Sequence, residues 1–147
     1  MEKNTRLQGY DYASSNAYFI TICTKNRENF FWIKKQSYEL NNYGKIVLSN
    51  WLEIGNKYDN VLLDEFVIMS NHIHGIFAIL DKEHTIGHII SQFKASVTKE
   101  IRKISSDKKV QIWQDNYYEH IIRPKETEKI QWYIRNNPYN IYKDRYD

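Results

Sequence analysis

The chain is poor in the residues that cross-link or interrupt a fold. Its 147 residues include one cysteine, two prolines and five glycines. A single cysteine, Cys23, excludes an internal disulfide framework, and its apolar surroundings indicate a buried thiol. No apolar segment has the length that a bilayer crossing needs, and the first residues lack the apolar core of a secretory signal. We therefore expect one cytoplasmic domain over residues 1–147, without repeats or linkers.

Neither sign of charge dominates the composition. The formal net charge is +3 and the sequence pI is about 8.8. Aromatic residues make up 15% of the chain, including twelve tyrosines and four tryptophans. Aromatic rings fill protein cores and also stack on unpaired bases. This composition is compatible with nucleic-acid binding but does not require it.

The spacing of apolar residues predicts four strands and three helices. Clusters of β-branched and aromatic residues predict strands at 17–24, 61–69, 72–80 and 117–123. Apolar spacings of three and four predict helices over 43–58 and 86–104, capped by Asn41 or Asn42 and by Thr85. Pro124 begins a last helix that ends near Asn136, because the residue before a proline is pushed out of helical geometry. Residues 30–40 are predicted to form a short accessory hairpin.

The order of these elements predicts the fold class. Strand, helix, strand, strand, helix and strand follow each other as in the ferredoxin-like split βαβ pattern. We therefore expect an α+β domain in which an antiparallel sheet carries helices on one face, with one further helix appended at the carboxyl end. This fold hosts many functions, so the function has to be argued from the site.

Two histidines and a tyrosine–asparagine pair are the candidate functional residues. His72 and His74 alternate along a strand, so they project from the same face roughly 6–7 Å apart at the backbone. They are either half of a metal site or hydrogen-bonded core residues. Tyr133 and Asn137 are four residues apart and share one side of a helix. Their hydroxyl and amide could supply a nucleophile and a third ligand, and packing and a helix end are their ordinary roles.

Several segments resemble one protein family. Residues 71–74 (Asn-His-Ile-His) resemble the His-hydrophobic-His motif of the single-tyrosine HUH transposases, which are IS200-like. Residues 112–114, 118–123 and 133–138 resemble the branch called REP-associated tyrosine transposases, as do residues 7–12 and 19–27. The likeness extends from about residue 6 to residue 140.

The resemblance implies a fold, a reaction and a set of roles. It implies a ferredoxin-like transposase in which Tyr133 is the nucleophile and His72, His74 and Asn137 hold Mg²⁺ or Mn²⁺. The implied substrate is single-stranded or hairpin DNA, cut to leave a 5′-phosphotyrosine on the protein and a free 3′-OH. Relatives act as monomers or as homodimers.

Basic and aromatic side chains are the candidate DNA contacts. Aromatic candidates for base stacking are Tyr10, Tyr12 and Tyr117, and His120 is either structural or a phosphate contact. The cations expected to gather the DNA backbone are Lys94, Lys99, Arg102, Lys103, Lys108, Lys109 and Arg123, although such residues often form only a solvated face.

Two other functions remain open. One is a domesticated protein that binds structured single-stranded nucleic acid without cutting it, and the other is a hydrolase whose histidines activate a metal-bound water. Only the tyrosine mechanism predicts a covalent protein–DNA product.

Overall fold

A computed structural model describes residues 16–80 and 85–137. Four strands form one antiparallel sheet in the order β2-β3-β1-β4, which is the order of a ferredoxin-like split βαβ domain and confirms the predicted fold class. The elements are β1 (Asn16–Cys23), α1 (Asn42–Lys57), β2 (Val61–Ile68), β3 (His72–Ile79), α2 (Ile86–Ile104), β4 (Tyr118–Ile121) and α3 (Thr127–Asn136).

The predicted helix caps are present. The side chain of Asn41 accepts a hydrogen bond from the Gly44 N–H at 2.9 Å, and that of Thr85 accepts one from the His88 N–H at 3.1 Å. Each cap satisfies an N–H that has no partner within the first turn of its helix. At α3 the start differs from the prediction, because Pro124–Glu126 form a 3₁₀ turn and the α-helix begins only at Thr127.

The accessory hairpin predicted at residues 30–40 is reduced to a single bridge between Trp32 and Leu40. Further backbone groups of this segment form hydrogen bonds with residues outside it. The Phe31 N–H donates to the Ser70 carbonyl at the turn between β2 and β3, at 3.0 Å. The Asn41 side chain donates to the carbonyls of Phe30 and Trp32 at 2.8 and 3.0 Å. The segment is thus closed on itself only around this bridge, where the Ile33 N–H donates to the Glu39 carbonyl at 2.9 Å, and is otherwise fastened to the sheet and to the cap of α1.

The two faces of the sheet are covered by different helices. α1 and α2 pack on one face, as predicted, and bury apolar residues of β1 and β3 that include Ile20, Ile22, Ile73 and Phe77. α3 packs on the opposite face, where Ile134 joins a smaller cluster with Ala17, Phe19, Ile76 and Ile122. Successive side chains of a strand point to opposite faces, so each strand contributes to both layers. Among the residues described, none of the helices has the length and apolar character to cross a membrane.

Candidate active site

His72 and His74 lie on the face of the sheet that α3 covers. In the register between β1 and β3, Thr21 is opposite His74 and Cys23 is opposite His72. Directly opposed residues of antiparallel strands point to the same face, so these four side chains form one patch. Both histidines are fully buried, and their ring centroids are 4.6 Å apart. The alternation read from the sequence therefore brings the two imidazoles together.

Each imidazole is held through its Nδ1 atom. The Nδ1 of His72 lies 2.6 Å from the Asn71 amide oxygen, and the Nδ1 of His74 lies 2.9 Å from the Thr21 hydroxyl. An amide oxygen only accepts hydrogen bonds, so this contact places a proton on Nδ1 of His72. Histidines that bind metals are typically oriented in this way, by a hydrogen bond from the nitrogen that does not bind.

Tyr133 reaches this patch from α3. The helix buries Ile134, with Ile130 packed beside it, against the sheet. The ring of Tyr133 is partly buried, and its centroid lies 5.5 Å from that of His74 and 6.3 Å from that of Phe19. The candidate nucleophile and a candidate ligand from mid-chain therefore meet within one subunit.

Asn137 ends α3 and is buried. α3 runs in the direction of β2, because Gln131 contacts Asp64 and Arg135, one turn later, contacts Glu65. β3 is antiparallel to β2, so the same direction leads from His74 towards His72. One helical turn advances about 5.4 Å, which carries Asn137 beyond Tyr133 towards the His72 end of the patch.

The donor types of the patch fit a divalent cation. Imidazole nitrogens suit transition metals such as Zn²⁺, Cu²⁺ and Fe²⁺, and amide oxygens suit Mg²⁺ and Mn²⁺. Within residues 16–80 and 85–137 there is no group of three or more His, Cys, Asp or Glu side chains that could hold a metal. If the donors all come from the described residues, a metal at His72 and His74 would therefore need a third donor of another kind, such as the Asn137 amide.

The candidate DNA-binding cations lie mostly on the other side of the sheet, on α2 and the loop after it. The Lys94 ammonium donates to the carbonyls of Gln114 and Asn116 at 3.0 and 2.6 Å, and burial lowers its pKa. The Arg102 Nε donates to the Val110 carbonyl at 2.9 Å. These two cations hold the loop between α2 and β4, a role that the charge pattern did not reveal.

The remaining lysines of this group point outward. The Lys108 ammonium donates to the carbonyl of Lys103 at 2.9 Å. Lys99, Lys103 and Lys109 are exposed, so their ammonium groups are accessible to a polyanion.

His120 lies on the α3 face of β4, opposite Phe19 of β1. Its Nε2 is 3.1 and 3.2 Å from the two carboxylate oxygens of Glu126. Glu126 also accepts a hydrogen bond from the backbone N–H of Arg123 at 2.9 Å. This backbone bond and the His120 contact lower the pKa of Glu126. His120 thus has a structural partner and is still partly exposed, and the Arg123 side chain is exposed as well.

Tyr117 is partly buried and lines a groove of about 1090 Å³ together with Tyr18 and Gly87, where α2 begins beside β4. Burial and the neighbouring Glu119 carboxylate raise the pKa of Tyr117. The other two candidates for base stacking, Tyr10 and Tyr12, lie outside the described residues.

Sequence reasoning missed four residues around the site: Thr21, Asn71, Asp64 and Gln131. Asn71 stands directly before His72, so its role was the easiest to find. Thr21 could be found only after β1 was paired with β3 in the correct register. Asp64 and Gln131 meet across two elements, and no local pattern marks that contact.

The chain matches the family "Transposase IS200 like" over residues 12–137. It is 40% identical over 159 aligned positions to an uncharacterized protein of Haemophilus influenzae, and the alignment covers 92% of this chain and 87% of that protein.

Two solved structures share the fold. A REP-associated tyrosine transposase bound to a REP hairpin superimposes with a TM-score of 0.64 at 17% identity, covering 90% of this chain and 73% of the other. A candidate transposase from Deinococcus radiodurans superimposes with a TM-score of 0.54 at 18% identity, and the match covers 92% of this chain and 97% of the other. The match over residues 12–137 shows that the chain belongs to the IS200-like transposase family, whose members process DNA.

Proposed function

We propose that this transposase cuts and rejoins hairpin-bearing single-stranded DNA through a covalent bond to Tyr133, with Mg²⁺ or Mn²⁺ held by His72, His74 and Asn137. The observation that carries the proposal is the 5.5 Å separation between the ring centroids of Tyr133 and His74. A phenol from the last helix and a pair of imidazoles from mid-chain lie on the same sheet face, although almost sixty residues separate them.

The proposed cleavage is a displacement at phosphorus. The Tyr133 oxygen forms a bond to the scissile phosphorus, and the bond from phosphorus to the 3′ oxygen breaks. The phenol proton passes to solvent, and the departing oxygen takes up a proton to become a free 3′-OH. The 5′ end stays on the protein as a phosphotyrosine. Because one phosphoester replaces another, attack by a 3′-OH can rejoin DNA without an external energy source.

The residues of the chain hold and orient the reacting groups. Thr21 and Asn71 fix the rotation of the two imidazoles through Nδ1, which leaves Nε2 of each ring as the metal-binding nitrogen. The Asn137 side chain supplies the third donor. A divalent ion bound to this set would draw charge from the scissile phosphate and orient it towards the nucleophile.

The proposed DNA partner is supported from two sides. One structural neighbour is a REP-associated tyrosine transposase bound to a REP hairpin. In this chain Lys99, Lys103, Lys109 and Arg123 are exposed cations, and His120 is partly exposed on the α3 face. Contacts of this kind bind the phosphate backbone in a strongly salt-dependent way and carry no base specificity. We propose that the protein acts as a monomer or a homodimer.

One observation favours the alternative of a binder that does not cut. Both histidine rings are fully buried, and the Tyr133 ring lies against one of them. A phosphate can reach the imidazoles only if groups that cover them shift when DNA binds. A protein that only binds DNA needs no such shift, so the two functions predict different products from the same complex.

The test is the formation of a covalent adduct. Stem–loop oligonucleotides with a fluorescent label and randomised single-stranded flanks are incubated with the full chain and Mn²⁺, then separated in denaturant. We expect a labelled protein band, which Tyr133→Phe abolishes while DNA binding stays within about twofold. His72→Ala should abolish the band with the circular dichroism spectrum unchanged.

Tyr118→Phe is the matched control. Tyr118 lies on the same sheet face, opposite Thr21, and is 44% exposed, so it is a second described tyrosine that DNA on this face would meet. This variant should keep the band. A band that survives Tyr133→Phe but disappears in Tyr118→Phe would reassign the nucleophile. Binding without any band would favour the non-cutting function, and two free DNA ends with multiple turnover would indicate hydrolysis.

A further inference from the structure

β2 carries one extra residue where it faces α3. Leu63 is paired with Phe77, and Phe66 with Gly75, so three steps along β2 match two steps along β3. Such a β-bulge re-aims the side chains around it. Here two consecutive side chains, Asp64 and Glu65, both contact α3, which a regular strand with alternating sides would not allow.

The contact of Asp64 is a buried polar anchor. Asp64 is only 1% exposed, and its two carboxylate oxygens accept hydrogen bonds from different elements. The Gln131 side-chain N–H₂ donates to one oxygen at 2.7 Å, and the backbone N–H of Glu65 donates to the other at 2.8 Å. A buried carboxylate without such donors is costly, so the pairing resists separation. Arg135 adds a looser ion pair to Glu65 at 3.8 Å.

These contacts lie on the flank of α3 opposite to Tyr133. Successive residues of an α-helix are about 100° apart around its axis. Tyr133 is therefore roughly 200° around the axis from Gln131, whereas Arg135 lies within about 40° of Gln131. Ile134 lies between the two flanks and faces the sheet. One flank of α3 is therefore fastened to β2, while the other sets its tyrosine against His74.

This arrangement makes the rotation of α3 about its axis critical. A tyrosine hydroxyl lies roughly 9 Å from the axis of its helix, so a rotation of about 10° moves it by roughly 1.5 Å. A displacement of about 1 Å at a reacting atom can lower a rate about 100-fold.

We infer that Asp64 and Gln131 are positioning residues, which fix the rotation of α3 and thereby hold Tyr133 over His74. This inference rests on the proposed role of Tyr133. Each acts through the helix, because Gln131 lies on the flank of α3 away from Tyr133 and Asp64 binds that flank.

The test exchanges the two ends of the hydrogen bond. Gln131→Glu sets two carboxylates against each other at pH 8, where they repel, and we expect the single-turnover rate of adduct formation to fall about 10–100-fold. DNA affinity should stay within about twofold. Asp64→Asn in the same chain restores a donor–acceptor pair, because the amide introduced at position 64 donates to the carboxylate introduced at position 131 and still accepts from the Glu65 N–H. The double variant should recover to within about threefold of the parent rate.

Lys129→Gln is the matched control, because it changes the charge of α3 by the same amount at an exposed position. This variant should react at the parent rate. The inference is overturned if Gln131→Glu reacts at the parent rate, if the double variant does not recover although its melting temperature does, or if the loss lies in DNA affinity.

A second measurement does not depend on cleavage. Because the ring centroids of Tyr133 and His74 are 5.5 Å apart, the Tyr133 ring current should shift the proton resonances of His74, one of five histidines in the chain. In the free protein, Gln131→Glu should move the His74 signal part of the way to the position that it has in the Tyr133→Leu variant. The double variant Asp64→Asn, Gln131→Glu should return the signal to its position in the parent protein. An unmoved His74 signal overturns the positioning role. If the parent protein forms no adduct but the signal moves as expected, the proposed reaction fails while the positioning role stands.

Discussion

Replacing Gly75 by alanine should force α1 away from the strand that carries the histidines. Gly75 follows His74 directly, so a side chain at position 75 would point to the other face of the sheet. On that face, Trp51 of α1 covers the backbone of Gly75. A Cβ atom at this position would lie 2.2 Å from Cζ2 and 2.8 Å from Cη2 of Trp51. Ordinary contacts between carbon atoms are about 3.5–4.0 Å. The indole would therefore have to move by more than about 1 Å, although it is fully buried, with its ring centroid 5.0 Å from that of Phe77 and 5.5 Å from that of Phe93.

The cost can be estimated from that overlap. Adding a methyl group to a well-packed core typically destabilises by 1–3 kcal/mol, and an overlap with a rigid indole belongs at about 3 kcal/mol. A domain with a total stability of roughly 5–15 kcal/mol should remain folded.

The clash can be removed from the other side by Trp51→Phe, because a phenyl ring lacks the two indole atoms closest to the new methyl group. Alone, this change should cost about 1–2 kcal/mol, since it leaves a small cavity. Part of that cost is offset, because the buried indole N–H has no hydrogen-bond partner in the described part of the chain. The double variant should then lose about 2 kcal/mol less than the sum of the two single changes.

The assay is urea denaturation followed by circular dichroism, for both single variants and the double variant. Gly87→Ala is the control, because the nearest atom to its Cβ would be the Tyr117 hydroxyl at 3.7 Å and the site is exposed in the first turn of α2. It should be neutral or slightly stabilising. A loss below 1 kcal/mol for Gly75→Ala, or losses that simply add in the double variant, would refute the steric explanation.

Two further predictions concern charged groups. The pKa of Glu126 is lowered in the folded state, so its ionised form stabilises the protein above the unfolded value of about 4.3, and this contribution disappears as the pH falls through the folded pKa. Glu126→Gln should therefore lower the melting temperature at pH 7 but progressively less below about pH 4, and a pH-independent difference would contradict this. Lys94→Met removes two hydrogen bonds to loop carbonyls and should cost about 1–3 kcal/mol in urea denaturation. Lys99→Met, on the same helix but exposed, should stay within about 0.5 kcal/mol, and equal losses would contradict a structural role for Lys94.

The fold could be predicted because its elements are long and strongly patterned. The order of elements follows from the apolar spacing in α1 and α2 and from the two strands that flank Ser70 and Asn71. That order of elements in turn indicates the order of the strands in the sheet. The hairpin predicted at residues 30–40 forms only as one antiparallel bridge, between Trp32 and Leu40, because other backbone groups of this segment bond to the Ser70 carbonyl and to the Asn41 side chain. The face covered by α3 was not predicted, since an amphipathic helix does not reveal which side of a two-sided sheet it will cover.

The candidate site could be predicted only in part. The pairing of His72 with His74 follows from strand alternation, whereas the roles that the family resemblance implies for them and for Tyr133 stay predictions. The bulge at Asp64 has no signature in sequence, because it is defined by the register against β3. The roles of Lys94 and Arg102 were also hidden, because a lysine that binds two carbonyls looks in sequence like a solvated one.

The two faces of the same strands differ in a way that bears on the choice between cutting and binding. Towards α1 and α2, β1 and β3 bury Ile20, Ile22, Ile73 and Phe77, which stabilise the fold by burial alone. Towards α3, the same two strands bury Thr21, His72 and His74, and β2 buries Asp64. Buried polar groups contribute little even when hydrogen-bonded and cost much when they are not, so apolar residues would stabilise this face better. The burial that hinders access of a phosphate to the imidazoles therefore also costs stability, and binding a DNA backbone through exposed cations gives no reason for that cost. Departures from a stable core of this kind are typical of catalytic sites, which favours the cutting function.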